Sequence, residues 1–266
     1  MAVKPFWTPG KRGLEQPKPR DLGPSHMSAR DVETLIMGSG PRALTLKPHV
    51  VRLLAIAIAG ILTLLLGCTP GPPKPTLLIY GDSVTVLSES AVTQLYGTKY
   101  HLVFRAYGGT AMCDWAPHAA ADRVLYHPAR VVLAFTGNSH TCVANDLKVG
   151  GVPAFLANYS KALTEFHSAF VGLPISVVAS PAMQSLSPDL FPENGSPTLN
   201  QLYQTLCAQL GMTYNPAADN ALTPGHIFTA YRPAYGTTGP LVAVRTGDGV
   251  HVTPAGAVYY AHALAG

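Results

Sequence analysis

From Thr76 onward, apolar runs of strand length alternate with longer amphipathic stretches, and this alternation leaves the chain few ways to fold. Strand-like runs lie at Thr76–Tyr80, His101–Ala106, Arg130–Phe135 and Ile175–Ala179, with a weaker one near Met212–Tyr214. Between them, Val84–Tyr96, Pro117–Tyr126, Pro153–Phe170 and Leu199–Leu210 have the length and spacing of helices. Thr198 and Gly211 bracket the last of these as start and stop signals. Thr253 followed by Pro254 suits the entry to a final helix, a side-chain oxygen at the cap and a proline in the first turn. Strand and helix taken in turn predict an α/β fold in three layers, a parallel sheet covered by helices on both faces.

The distribution of charge excludes a nucleic-acid partner. From Cys68 onward there are nine Lys and Arg against ten Asp and Glu, whereas residues 1–67 carry nine basic and four acidic side chains. The region that holds the strands is therefore nearly neutral and lacks the basic stripe that a nucleic-acid binder presents. No acidic residue falls between Glu33 and Asp82. Arg42, Lys47 and Arg52 precede the apolar run 53–67, and a positive segment followed by such a run reads as an export signal. The run is short for a membrane span, which needs about 20 apolar residues. Leu65-Leu66-Gly67-Cys68 resembles a bacterial lipobox, which implies that Cys68 is lipidated; two or more acyl chains suffice for stable anchoring. A tilted single span is the alternative. Either places residues 69–266 at the outer face of the cytoplasmic membrane, in the cell envelope.

The chain thus divides into an extension (1–49), an export signal or anchor (50–68), a Pro-rich linker (69–75) and a domain (76–266). The extension is rich in Pro, Gly and basic residues. It reads either as a disordered cytoplasmic segment or as sequence upstream of the true start, with Met37 or Met27 giving an ordinary signal. The linker prolines favour an extended, semi-rigid tether.

In an open parallel sheet, function gathers at the carboxyl ends of the strands. Gly81-Asp82-Ser83 closes the first strand and opens a helix, so backbone N–H groups point toward the surroundings of Ser83. A serine so placed can attack an acyl carbon, although Gly-Asp-Ser alone is also ordinary turn chemistry. Asp248-Gly249-Val250-His251 lies just before the final helix. An Asp three residues ahead of a His on one loop can orient the imidazole in the tautomer that takes a serine proton. Ser83, His251 and Asp248 together supply the three groups of a serine hydrolase.

These strings resemble the blocks of the SGNH, or GDSL, hydrolase superfamily. Gly81-Asp82-Ser83-Val84-Thr85 is similar to the first block, with Val in place of the usual Leu, and Asp248 through Gly256 to the last. The resemblance implies a three-layer α/β/α sandwich with a flavodoxin-like sheet over residues 76–266. It implies an oxyanion hole built from the backbone of Ser83, a Gly after the second strand and an Asn after the third. Gly109, with Gly108 beside it, fits the second role and Asn138 the third. Gly137 is adjacent to Asn138, and Ser139-His140 follows, where the family pattern has an intervening residue and then an Asp; His140 is a substrate-contact candidate or a solvated loop residue. No Gly-x-Ser-x-Gly string supports the ordinary α/β-hydrolase alternative.

The implied convergence of these loops brings Cys113, four residues after Gly109, close to Cys142, four after Asn138, and a Cys113–Cys142 disulfide is expected, as exported proteins permit. Cys207 sits in an apolar helix pattern and reads as a core thiol. Neither zinc-like Cys/His spacing nor a phosphate-binding Gly-rich loop occurs, so no cofactor or metal is expected. Tyr231 and Tyr235 fall in the Gly- and Pro-rich stretch Thr223–Gly239, read as an irregular loop that either lines a cleft or merely connects. The expected function is a monomeric serine esterase acting in the cell envelope on an acyl ester of a small molecule, lipid or acylated glycan. O-acyl transfer to an envelope glycan by the same triad is the alternative, and an inactive ligand-binding lipoprotein is a third reading.

Overall fold

A computed structural model of the chain describes residues 73–138, 141–184 and 198–264. The export signal, Cys68, most of the linker and His140 lie outside these residues. Five parallel strands form the main sheet: β1 Thr76–Gly81, β2 His101–Ala106, β3 Arg130–Ala134, β4 Ile175–Val178 and β5 Thr213–Asn215, in the order β2-β1-β3-β4-β5. The predicted strands therefore form, and the sheet has the flavodoxin-like order.

Alternation along β1 explains the layering. Leu78 and Tyr80 point to one face, with Val131, Leu133 and Val177 of neighbouring strands; Leu77 and Ile79 point to the other, with Val132, Ala134 and Val178. Both sets are buried, as expected of a sheet covered on both sides. The first face packs against α2 Met112–Trp115, α3 Ala119–Tyr126, α4 Ala144–Ala169 and α5 Leu199–Leu210. The second packs against α1 Ser83–Tyr96, α6 Ala217–Leu222 and α7 Pro254–Leu264. Thr198 caps α5 as expected: its hydroxyl accepts from Gln201 N at 3.1 Å, the Gln201 side chain accepts from Thr198 N at 2.8 Å, and Gly211 ends the helix.

The helix expected from Pro153 forms as the second of two helical segments within α4: Gly151 (φ 63°, ψ −156°) breaks the backbone between them, and the segment from Ala144 that precedes it adds to the expected elements. The stretch Thr223–Gly239 is not wholly irregular. It contains strand β6 Tyr231–Pro233, which pairs antiparallel with β7 Leu241–Ala243 and leads directly into the Asp248–His251 loop.

The loops after β2 and β3 are fastened to each other. Cys113 and Cys142 are disulfide-bonded with their Cα atoms 6.1 Å apart, as expected. Asn138 Nδ2 donates to the Thr110 carbonyl at 3.0 Å, and the Thr141 hydroxyl donates to Asp114. The disulfide spans 29 positions. Replacing both cysteines by serine should lower the unfolding free energy by about 2–4 kcal/mol, measured by urea denaturation; unchanged stability would show that the other loop contacts suffice.

Candidate active site

Ser83 begins α1 at the carboxyl end of β1, and two local features put it there. The first is the close approach at Gly81. A Cβ on Gly81 would lie 2.1 Å from the Thr85 hydroxyl oxygen, which donates to the Ala134 carbonyl at 3.0 Å. Only glycine allows the strand to turn so tightly against the helix. The second is Asp82, which is fully buried. One carboxylate oxygen accepts from Val84 N at 3.0 Å and caps the helix; the other accepts from both the backbone N–H and the hydroxyl of Thr136, each at 2.6 Å. Burial raises the Asp82 carboxyl above the usual carboxylate range despite these donors.

The loop from Arg245 to Val252 carries the other two groups. Asp248 Oδ1 accepts from Val250 N at 2.8 Å, His251 N at 3.0 Å and the Thr246 hydroxyl at 2.6 Å. Such a turn of the chain onto its own side chain is helped by Gly249, whose φ of +69° favours glycine. Gly249 O also accepts from Gln184 N at 3.0 Å, and a Cβ at Gly249 would meet Gln184 at 2.5 Å. Arg245 is buried beneath the loop and donates to the carbonyls of Val250 at 2.8 Å and Ala182 at 3.1 Å. Burial lowers its guanidinium to about 10.

These supports bring three side chains into a row. His251 Nδ1 lies 2.6 Å from Asp248 Oδ2, and His251 Nε2 lies 2.9 Å from Ser83 Oγ. An ionised carboxylate only accepts, so Nδ1 carries the proton of the neutral ring and Nε2 is left to accept from the Ser83 hydroxyl. Burial alone would raise the Asp248 carboxyl. Hydrogen bonds from the His251 ring, the Thr246 hydroxyl and two backbone N–H groups outweigh it and hold Asp248 well below the ordinary carboxylate range. Asp248 and His251 are each more than a third exposed. Solvent therefore screens their attraction, and orientation is what the pair secures.

Asn138 stands at the exit of β3, two residues beyond Thr136. Its amide nitrogen has a second N–H besides the one given to Thr110, and its carbonyl accepts from the Tyr159 hydroxyl at 3.2 Å. Of the two glycines after β2, Gly108 lies against the serine, since a Cβ there would be 3.8 Å from Ser83 Cβ; Gly109, at φ +79°, faces open space. Tyr235 does not line the cleft beside Ser83. It stacks on His262 with ring centres 4.0 Å apart and meets Tyr259 edge-on. Asp82 and Arg245 carry too little signal in the sequence to stand out by role, whereas Gly108 stands there beside Gly109. Only the position of Asp82 next to Ser83 pointed to it. The described residues contain no cluster of metal-ligating side chains.

A family model described as "Protein of unknown function (DUF459)" matches residues 76–266. No curated protein sequence matches the chain. Among solved structures, a catalytic mutant of an acetylxylan esterase from Geobacillus stearothermophilus is similar with a TM-score of 0.50 and 14% identity, over 73% of this chain and 94% of that one. A lipase/acylhydrolase from Enterococcus faecalis is similar with a TM-score of 0.46 and 14% identity, over 71% and 92%. A GDSL-like lipase from Bacteroides thetaiotaomicron gives 0.45 and 15%, over 71% and 84%. The esterase likeness shows the fold that the motifs implied.

The row of three groups makes Ser83 a candidate for rapid labelling by a fluorophosphonate, a reaction that needs no knowledge of the substrate. Asp248→Asn keeps the shape but favours the wrong tautomer, and labelling should slow by a factor of order 10⁴. An undiminished rate, followed by intact mass, would remove Asp248 from the site.

Proposed function

The chain belongs to the DUF459 family, and from this site we propose that it is a serine esterase acting on an acyl ester in the cell envelope. The observation that carries the reading is the unbroken hydrogen-bonded row from Ser83 Oγ through the His251 ring to Asp248. As Ser83 Oγ bonds to the ester carbonyl carbon, its proton passes to His251 Nε2. The oxygen that becomes negative is received by backbone N–H groups of Ser83 and the Gly108–Gly109 turn and by the second N–H of Asn138. The bond to the leaving oxygen then breaks, and the imidazolium returns its proton to the departing alcohol. Water, deprotonated by the same nitrogen, attacks the acyl carbon; the bond to Ser83 Oγ breaks, the imidazolium returns its proton to that oxygen, and the acid is freed. Asp248 holds the ring and balances its transient charge throughout.

The Cys113–Cys142 disulfide supports export, because such bonds persist where thiols are not kept reduced. It agrees with an envelope location reached through the 50–68 segment and an anchor there, whether a lipidated Cys68 or a single span.

Turnover of nitrophenyl esters by the full chain tests the proposal. Ser83→Ala should lose about 10⁴–10⁶-fold in kcat, and Asn138→Ala about 10²–10³-fold, the cost of one oxyanion donor. A Ser83→Ala variant that still turns over at the parent rate would sink the mechanism. Release of free acid, rather than acylation of an added glycan, is the expected product when both acceptors compete.

A further inference from the structure

Helix α1 buries Val84, Thr85, Ser88 and Val92 against the sheet. Helical spacing puts Ser83, Val86, Leu87 and Ser90 together on the opposite face. An outward face is ordinarily polar, yet Val86 is 39% exposed and Leu87 47%. Neither contributes to the core. Both border an open cleft of about 420 Å³ shared with Ser83, Gly108, Thr246, Asp248 and His251, so that its polar groups lie on the triad side and its apolar ones on α1. The cleft has the size of a small-molecule site, and an acetyl group would fill little of it. Asn138 does not line it, so the space extends away from the side-chain oxyanion donor. Gly108, with no side chain, keeps it open beside the nucleophile. Between Ser83 and Ser90 on that face, the side chains of Val86 and Leu87 themselves offer no donor or acceptor. Sugar hydroxyls laid there would lose water without gaining partners, which is costly, whereas a hydrocarbon chain would gain by leaving water.

We propose that Val86 and Leu87 form a subsite for a hydrocarbon chain, and that the preferred substrate is an ester bearing a medium-length apolar chain rather than an acetyl group on a bare sugar. The proposal rests on the reading of Ser83 as nucleophile. Because the leaving oxygen must sit near His251 Nε2 and the acyl carbon on Ser83 Oγ, and both border the cleft, the chain belongs either to the acid or to the alcohol.

Two substrate series separate these sources. The first is p-nitrophenyl acetate, butanoate and octanoate; the second is methyl, butyl and octyl acetate. With the full chain, kcat/KM should rise roughly twofold per added methylene in one of them, about half the gain of full burial because the cleft is open. The series that rises names the side of the ester. In the double variant Val86→Thr/Leu87→Gln the slope should flatten, with octanoate or octyl ester losing far more than its short homologue. The matched change Val124→Thr/Leu125→Gln, at exposed positions on α3, should leave the slope intact. Fluorophosphonate labelling of Ser83 and thermal melting report whether each variant is folded and reactive. A flat profile in both series, or a slope that the double variant does not change, overturns the subsite while leaving the nucleophile standing. A parent protein that neither labels nor turns over any ester overturns the nucleophile, and the subsite with it.

Discussion

A buried carboxylate ties the parts of this molecule into one frame. Asp82 caps α1 through Val84 N and takes both donors of Thr136 at the end of β3. The residue after Asp82 is Ser83, and the second residue after Thr136 is Asn138. One side chain therefore sets the distance between the proposed nucleophile and the proposed oxyanion donor, across the β1–β3 pair where the strand order reverses. Inside the protein no water competes for these hydrogen bonds, and leaving any of the buried groups unpaired would be costly. Removing the carboxylate would leave Thr136 N buried without its acceptor and the helix without its cap.

Around that frame the loops are unequally held. The β2 and β3 exits are joined by a disulfide, by Asn138 to Thr110 and by Thr141 to Asp114. Toward α1 the surface opens between Val86, Leu87 and the imidazole. Rigidity thus lies where charge would develop and space lies where a substrate would enter. This division suits a site that must fix donors before reaction and still admit ligands.

The alternation of apolar runs and helices was enough to foresee the five strands, because a strand buried on both faces must be continuously apolar and Leu77-Leu78-Ile79 has no other use. Asp248 and His251 were legible for a different reason: three residues on one loop bring them together without help from the rest of the fold. The β6–β7 hairpin was hidden because three-residue strands containing Pro233 and flanked by glycines carry no periodic signal. The helix from Pro153 was legible because Gly151 ends the segment before it: its φ of 63° and ψ of −156° lie outside the helical region, and a new helical run starts after it. The choice between Gly108 and Gly109 needed the turn itself, since adjacent glycines look alike in sequence. Arg245 was invisible as well: a lone arginine between the apolar run 241–244 and a turn gives no hint that it is buried beneath a loop.

That arginine has a consequence for how the molecule moves. Its guanidinium is shut inside and gives its two terminal nitrogens to main-chain oxygens, one on the imidazole-bearing segment and one past β4. Lifting the segment would take the Val250 acceptor away from a cation in the interior, and the ring would go with it. The position of the imidazole is thus tied to a cation below the loop, which joins the main chain of residue 250 to that of residue 182.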